Sequence, residues 1–326
     1  MGIFGRERGS GAVGAIDLGG TKIAAAVVGP DNSVLASARR PTPITGGPEG
    51  VVSAIDEAIR EATGKAGIDL ADLRGVGVGA PGMADRLTGT LSGAGNLPGW
   101  SGSFPLGPEL STSLGLPVAI GNDVQVGTMA EYVLGAGKGH DSLLGVFWGT
   151  GVGGGLILGG EPWLGRGRAG EIGHTLVKRG GARGLNGLKG TIEAYAGRKA
   201  MEAKARREAE RGRKTILFEL MNERKKKALT SSIWHRAWKK DDELACHLLD
   251  RAVTALSAGI ASAVNLLDVE AVVIGGGLGV RFGETLVPKV IEGTGRYLLD
   301  PDRPPAMSVA ALGDDGGVLG AAMLVR

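Results

Sequence analysis

The sequence has few residues that form cross-links or bind soft metals. Its 326 residues include one cysteine, Cys246, which excludes an internal disulfide and any cluster of thiolate ligands. The first eleven residues lack an apolar core long enough for a signal peptide. Arg6 stands where an N-myristoylation motif requires Ser or Thr. We therefore expect a cytoplasmic protein without a lipid anchor.

A long uninterrupted apolar segment is also absent. The most apolar stretch, residues 143–160, carries no charge, but eight of its residues are glycine. These glycines divide two short apolar runs, so the stretch predicts a buried strand, a turn and a second strand. We therefore expect no membrane-spanning segment there.

Glycine, by contrast, is abundant. The 60 glycines cluster at particular loops, which indicates many tight turns and close backbone approaches. Strand hairpins come first, followed by alternating strands and helices, and this order occurs twice along the chain. The pattern predicts an α/β protein with two related lobes.

Positive charge is concentrated in one helical segment, residues 197–240. It holds fifteen Lys or Arg against five Glu, whereas the net charge of the whole chain is only +3. Such a segment can bind nucleic acid, but its composition also suits a helical insertion whose charges face water. The second interpretation is the one we favour, and the remainder of the chain is then negatively charged.

Two glycine turns join strand to strand. The first follows Asp17 and reads Gly19-Gly20-Thr21-Lys22, and the second reads Gly149-Thr150-Gly151. A P-loop or dinucleotide fingerprint runs from strand into helix, so neither applies here. Glycines at a hairpin tip allow phosphates to approach backbone N–H groups, and a carboxylate at a strand end can hold hydrated Mg²⁺. Either turn alone also suits an ordinary hairpin. The pair, however, predicts two phosphate-binding turns that contact one polyphosphate from opposite sides.

A third glycine turn, Gly275-Gly276-Gly277, follows the strand at Val272 and leaves room for a flat adenine or ribose. Together the three turns resemble the phosphate-1, phosphate-2 and adenosine motifs of the sugar kinase, Hsp70 and actin superfamily. Five further landmarks make the chain similar to the ROK family (repressors, open reading frames and kinases). They are Ala80-Pro81-Gly82, Asn96-Leu97-Pro98-Gly99-Trp100, Asn122-Asp123, Glu171-Ile172-Gly173-His174 and Glu193-Ala194-Tyr195.

The resemblance implies a two-lobed, actin-like ATPase fold with ribonuclease H-like lobes and a cleft between them that binds ATP–Mg²⁺ and sugar. We expect a disordered N-terminus over residues 1–12 and a small lobe over 13–121, with a C-terminal helix at 314–326 packed back onto it. The large lobe is expected over 122–313, and it includes the basic segment 197–240. A homodimer is expected from the habit of the family.

The resemblance also assigns site residues. Asp123 is the candidate general base, although the same position suits an N-cap of the following helix, and Asp17 is the candidate Mg²⁺ ligand through water. The residues expected to contact the sugar are Gly82, Asn96, Asn122, Asp123, Glu171, His174 and Glu193. The residues expected to contact the nucleotide are Asp17, Gly19, Gly20, Thr21, Lys22, Gly149, Thr150, Gly151, Gly275, Gly276 and Gly277.

The sequence departs from the family at its zinc motif. Many members follow E-x-G-H with C-x-C-G-x-x-G-C, and here the three cysteine positions hold Gly184, Asn186 and Thr191. None of these replaces a thiolate, so no structural zinc is predicted. The loop 180–190 must then be held in another way. Only eleven residues precede Ala12, which is too short for the DNA-binding domain of the family's repressors.

These features predict ATP-dependent phosphorylation of a free hexose, with glucose converted to glucose 6-phosphate as the first expectation. Kinases of N-acetylglucosamine, N-acetylmannosamine, mannose or fructose share the same polar site, and polyphosphate is an alternative donor. A non-catalytic sugar-responsive or nucleic-acid-binding protein is the alternative from another class. The intact Asp17, Asp123 and glycine hairpins argue against that last reading.

Overall fold

Two five-stranded β-sheets organise the chain. A computed structural model describes residues 11–326. Its strands are β1 (Val13–Leu18), β2 (Lys22–Val28), β3 (Val34–Pro41), β4 (Val76–Ala80), β5 (Met83–Asp85), β6 (Thr90–Ser92), β7 (Ser103–Phe104), β8 (Val118–Asn122), β9 (Leu143–Trp148), β10 (Val152–Leu158), β11 (Glu161–Pro162), β12 (Ala271–Gly275) and β13 (Ala306–Val309). Its α-helices are α1 (Gly47–Ala66), α2 (Leu106–Leu114), α3 (Asp123–Val133), α4 (Ile192–Ala196), α5 (Arg198–Glu210), α6 (Leu217–Glu223), α7 (Ser231–Lys239), α8 (Glu243–Leu267), α9 (Gly276–Arg281), α10 (Val287–Gly295) and α11 (Gly316–Ala322).

The two sheets share one strand arrangement. The first has the order β3-β2-β1-β4-β8 and the second β11-β10-β9-β12-β13. In each sheet three antiparallel strands are followed by two parallel ones. The repeat confirms the predicted α/β class with two related halves, and it confirms that both phosphate-type glycine turns connect antiparallel strands.

The described chain divides into two units, and the division differs from the expected lobe boundary. The first unit contains residues 11–133, Leu164–Arg168 and Leu312–Arg326, and the second contains Leu134–Trp163 and Ala169–Ala311. Helix α3 therefore belongs to the first unit, although a boundary at Gly121 was expected. The physical reason is its packing on α11, where an added Cβ at Gly320 would overlap the carbonyl oxygen of Val126.

The expected disorder of residues 1–12 can be compared with the structure only at residues 11 and 12. Residues 1–10 lie outside the described residues. For Ala12 the expectation is wrong, because this residue is fully buried in the first core and its carbonyl oxygen accepts a hydrogen bond of 3.0 Å from the backbone N–H of Arg74. The first unit therefore begins before β1.

Helix α1 covers β2 and β3 of the first unit. Its buried residues Val51, Ile55 and Ile59 recur at the spacing that predicts one apolar helical face. The helix ends at Gly67, which adopts the left-handed conformation that commonly terminates helices. From the sequence alone this spacing predicts a helix that stops near residues 64–67, and the structure confirms both.

The basic segment forms α5, α6 and α7 and belongs to the core of the second unit. Met201, Leu217 and Trp234 are buried among the residues of that core. Its charges lie mainly at the surface, partly in pairs one helical turn apart, such as Arg206 with Glu202. The interpretation as a solvated insertion is therefore right for the charged faces and wrong for the apolar ones.

Helix α8 is the long central helix of the second unit. By length and composition it is the one described helix that meets the criteria for a membrane span, and 67% of its most apolar window is buried inside the unit. Asp242 caps its N-terminus by accepting a hydrogen bond of 2.8 Å from the N–H of Ala245. The few polar positions among residues 249–267 predict a buried helix, which the structure confirms with a start six residues earlier at Glu243.

Gly77→Ala is expected to destabilise the first unit strongly. Gly77 is the second residue of β4, where an added Cβ would overlap the carbonyl oxygen of Ala321 in α11. Backbone must move to admit the methyl group, so we expect a loss of about 3 kcal/mol, measured as a lower urea midpoint. Gly64→Ala is the matched control, because an added Cβ there meets nothing within 4 Å. An unchanged midpoint for Gly77→Ala would contradict the packing of α11 on β4.

Candidate active site

The first glycine turn, residues 19–22, connects β1 and β2 and is fixed by Thr42. The Thr42 hydroxyl donates a hydrogen bond of 2.6 Å to the carbonyl oxygen of Gly19, and its N–H donates one of 3.1 Å to that of Thr21. Thr42 is buried and was not predicted from the sequence. The register of the hairpins could have identified Thr42. Because Lys22 pairs with Pro41, the residue after β3 must lie beside the turn.

Gly20 brings this turn against the loop that carries Asn96. An added Cβ at Gly20 would overlap the carbonyl oxygen of Asn96. The sequence suggested that Gly20 is small to admit a phosphate, but close packing on another loop is a sufficient reason for glycine here. The contact joins a predicted nucleotide residue to a predicted sugar residue within the first unit.

Asp17 lies near the end of β1 against the start of α11. An added Cβ at Gly317 would lie 2.8 Å from the carboxyl carbon of Asp17, so only glycine fits beside it. Burial raises the pKa of Asp17 above its usual value, the positive charge of Lys22 opposes this shift, and Asp314 adds to it. A carboxylate that is costly to ionise gains from a cation nearby.

The surroundings of Asp17 suit a hydrated cation. Among residues 11–326 no three His, Cys, Asp or Glu side chains are grouped closely enough to hold a metal ion by themselves. Mg²⁺ commonly binds through one or two carboxylates while it keeps several waters and contacts substrate phosphates. The single carboxylate of Asp17 beside the glycine turn matches that donor set.

The junction of β8 and α3 separates the roles of two neighbouring polar residues. The side-chain oxygen of Asn122 accepts hydrogen bonds from the N–H groups of Val124 at 3.0 Å and Gln125 at 3.1 Å. Asn122 thus caps α3. Asp123 is the first helical residue, half-buried, and its carboxylate also accepts a hydrogen bond of 2.9 Å from Val124. The helix therefore has a cap besides Asp123.

Asn122 also holds the turn at Gly82. Its side-chain amide donates a hydrogen bond of 2.9 Å to the carbonyl oxygen of Gly82. Gly82 has φ of +100°, a conformation that favours glycine, and an added Cβ would lie 2.6 Å from the carbonyl oxygen of Ser92. Two predicted sugar residues, Gly82 and Asn122, are thus in direct contact, and most of the hydrogen-bonding capacity of Asn122 is used internally.

In the second unit the glycine turn between β9 and β10 is held by α4 and α5. The Arg198 guanidinium donates hydrogen bonds to the Thr150 hydroxyl at 3.0 Å and to the carbonyl oxygen of Leu229 at 2.8 Å. The Glu193 carboxylate accepts one of 3.0 Å from the N–H of Val152. Burial lowers the pKa of Arg198, and the charge of Glu202 opposes that shift. Arg198 was not singled out from the sequence, because nothing distinguished it among fifteen basic residues.

The third glycine turn lies beside the second. An added Cβ at Gly149 would be 3.8 Å from the backbone nitrogen of Gly277. Gly276 has φ of +79° and lies directly on the backbone of Trp148, where an added Cβ would be 2.6 Å from the carbonyl oxygen. The two turns predicted to bind the nucleotide are therefore adjacent in the second unit.

His174 ends a short 3-10 helix, Ile172–His174, and Glu171 immediately precedes it. The His174 Nε2 and a Glu171 carboxylate oxygen are 3.7 Å apart, and both side chains are about half exposed. The His174 Nδ1 is 3.3 Å from the side-chain nitrogen of Asn186. Asn186 occupies one of the positions at which the family motif has a zinc cysteine, so a hydrogen bond now joins that position to His174.

Further hydrogen bonds hold the loop that carries Asn186. The Tyr195 hydroxyl accepts one of 2.9 Å from the N–H of Ala182. The N–H of Gly190 donates one of 2.7 Å to the carbonyl oxygen of Ala182, and that of Gly184 donates one of 2.8 Å to that of Leu188. Backbone hydrogen bonds and the Tyr195 hydroxyl thus hold this loop, which contains no cysteine.

Comparison with known proteins identifies the family. A model of the ROK family matches residues 13–326. The chain is 32% identical over 314 residues to a glucokinase of Thermotoga maritima, covering 95% of this chain and 96% of that protein. It is 30% identical over 318 residues to an N-acetylmannosamine kinase of Haemophilus influenzae, covering 96% of this chain and 94% of that protein.

A solved structure is similar throughout. It is a ROK family glucokinase from Streptomyces griseus in complex with glucose and AMPPNP, which is 33% identical with a TM-score of 0.80 and covers 96% of this chain and 99% of that one. The fold is the two-lobed, actin-like α/β class of such kinases. The chain belongs to the ROK family, and it is a sugar kinase.

Proposed function

We propose that the protein transfers the terminal phosphoryl group of ATP to the 6-hydroxyl of glucose. The observation that carries the proposal is the glycine turn with a threonine at the same place in both sheets, between the first two antiparallel strands of each half. Neighbouring residues in each unit fix these turns, as a pair of phosphate clamps requires. Glucose is supported by the names of two relatives at 32–33% identity.

Asp123 would accept the proton of the attacking hydroxyl. It lies at the carboxyl end of the parallel strand β8, where side chains of α/β sheets meet ligands. General bases of this type contribute about 10²–10⁴ in rate. Asn122 would position Asp123 by capping α3 and by holding the Gly82 turn.

Both units hold residues with proposed ligand contacts. In the first, Asn96 and the Gly82 turn would contact sugar hydroxyls, and Asp17, Thr21 and Lys22 would face the phosphates and hydrated Mg²⁺. In the second, Glu171, His174 and Glu193 would bind sugar. ATP with Mg²⁺ supplies the phosphoryl group and part of the charge neutralisation that such transfers require.

A coupled ADP-release assay with a panel of sugars tests the proposal. Glucose is expected to give the highest kcat/KM with ATP and Mg²⁺. Turnover of N-acetylmannosamine or N-acetylglucosamine without turnover of glucose would contradict the assignment of glucose. Activity with polyphosphate but not with ATP would contradict the donor. A folded protein that releases no ADP with any sugar and either donor would contradict catalysis itself.

Arg198→Gln is expected to weaken the use of ATP more than that of sugar. The change removes the charged donor that fixes Thr150 and leaves the carbonyl of Leu229 without its partner, so kcat/KM for ATP should fall about 10–100-fold. The KM for glucose should stay within about twofold of the wild-type value, because Arg198 contacts the phosphate turn. Arg211→Gln removes an exposed charge just after the same helix and should change neither constant. An unchanged KM and kcat for ATP in Arg198→Gln would contradict the role of Arg198.

A further inference from the structure

A pocket lies in the second unit among α4, α5, α8 and the loop 180–190. Its volume is about 220 Å³, and it is lined by ten residues, four of which are basic: Arg183, Lys204, Arg207 and Arg251. The remaining lining is apolar or aromatic and includes Tyr195 and Leu248. No residue predicted from the sequence to contact sugar or nucleotide lines this pocket.

The positive charges of this pocket are only partly balanced. The Lys204 ammonium is 2.5 Å from the Glu208 carboxylate, which offsets its charge. None of the ion pairs among residues 11–326 includes Arg183, Arg207 or Arg251. The Arg251 guanidinium instead lies over the Tyr195 ring, 4.9 Å from its centre. Three guanidinium groups without an ion-pair partner therefore line one concavity, and such a concentration of positive charge favours an anion.

We propose that this pocket binds a small organic phosphate. Arginine presents paired N–H donors that match phosphate oxygens. The apolar part of the lining suits a short carbon chain, and the volume is below the 300–1,000 Å³ typical of drug-sized ligands. The expected ligand class is therefore a phosphate monoester of a compound with about three carbon atoms, the size of a triose phosphate or glycerol phosphate.

The location of the pocket connects it to the candidate active site. Arg183 is on the loop whose Asn186 contacts His174. Tyr195 shares α4 with Glu193, which holds the second glycine turn. A ligand that joins Arg183 to α5 and α8 would fix this loop against α4, so its binding is expected to change the KM for sugar more than that for ATP.

Calorimetric titration of the full-length protein with glycerol 3-phosphate, and separately with inorganic phosphate, tests the proposal without sugar or ATP. Its outcome therefore does not depend on the proposed kinase activity. Each buried methylene group should strengthen binding about fourfold, so glycerol 3-phosphate should bind more tightly than inorganic phosphate. The double variant Arg183→Gln/Arg207→Gln should bind it at least about tenfold more weakly.

The control is the double variant Arg224→Gln/Lys226→Gln. It removes the same charge from exposed positions of the basic segment that do not line the pocket, and it should bind like the wild type. Arg183 and Arg207 are themselves exposed, so their variants should fold, which the unfolding midpoint will verify. An equal loss of affinity for glycerol 3-phosphate in both double variants would mean that the net positive charge, and not the pocket, attracts the ligand. This result would overturn the proposal. Absence of binding to the wild type, or undiminished binding to the pocket variant, would overturn it as well.

Discussion

Asp123→Asn is expected to lower kcat about 10²–10⁴-fold and to leave the KM for glucose nearly unchanged. An amide cannot accept the proton of the attacking hydroxyl, and this loss affects the transition state more than the bound ground state. The fold should persist, because Asn122 caps α3 through its own hydrogen bonds to Val124 and Gln125. Steady-state ADP release at saturating glucose and ATP measures the effect.

The control for this prediction is Asp72→Asn, which alters an exposed carboxylate of the same unit. Its kcat should equal that of the wild type, and both variants should unfold at nearly the wild-type temperature. Retention of more than about a tenth of kcat in Asp123→Asn would assign the base elsewhere.

Asp17→Asn is expected to have opposite effects on activity and stability. Loss of the carboxylate that would hold hydrated Mg²⁺ should lower kcat/KM about 10²–10³-fold. The same change removes the cost of a buried charge, which is the main reason why the pKa of Asp17 is raised. The Tm without ligand should therefore rise by about 2–4 °C. Buried charged groups retained for function commonly reduce stability in this way.

The pH dependence of this effect follows from the direction of the pKa shift. A carboxyl group with a raised pKa opposes folding when it is ionised. The penalty is fully present above the folded-state pKa and disappears as the pH falls below the usual value of 3.8. The difference in Tm between Asp17→Asn and the wild type should therefore be large at about pH 7 and shrink towards about pH 4.

Asp85→Asn provides the control for stability. Hydrogen bonds from the N–H groups of Leu87 and Thr88 lower the pKa of Asp85, so its ionised form is favoured in the folded protein. The Asn variant should therefore gain no stability at pH 7, and its kcat/KM should stay at the wild-type value. If Asp17→Asn were less stable than the wild type at every pH, burial would not be the dominant influence on Asp17.

The sequence was sufficient for features that depend on neighbouring residues. Strand–glycine–strand order identified both phosphate-type turns, and apolar spacing located α1 and most of α8. The sequence also shows directly that the cysteines of the family's zinc motif are replaced by Gly184, Asn186 and Thr191. These features rest on local periodicity and turn chemistry, which a single sequence contains.

Contacts between segments that are distant in the chain could not be predicted from the sequence alone. Arg198 donates a hydrogen bond to Thr150, which is 48 positions away in the chain. Gly20 must be small because it packs against the backbone of Asn96, and this contact is not visible in the sequence. From the sequence, Asp123 suited an N-cap of α3, but Asn caps helices as well as Asp does, and the structure places Asn122 there. The division into units differs from the expected boundary at Gly121 for a related reason: α3 follows β8 in sequence, but α11, on which it packs, lies almost 200 residues later.

The loop that carries Asn186 is held by hydrogen bonds from Tyr195 and its own backbone, without sulfur ligands. A loop closed by thiolates and a metal opens when oxidants attack the sulfur or when metal supply falls. This loop contains no atom sensitive to either condition. Cys246, in α8, is partly buried, and burial raises the pKa of its thiol, so little reactive thiolate is present at neutral pH. Peroxide or metal starvation in the cell should therefore leave the conformation of His174 unchanged.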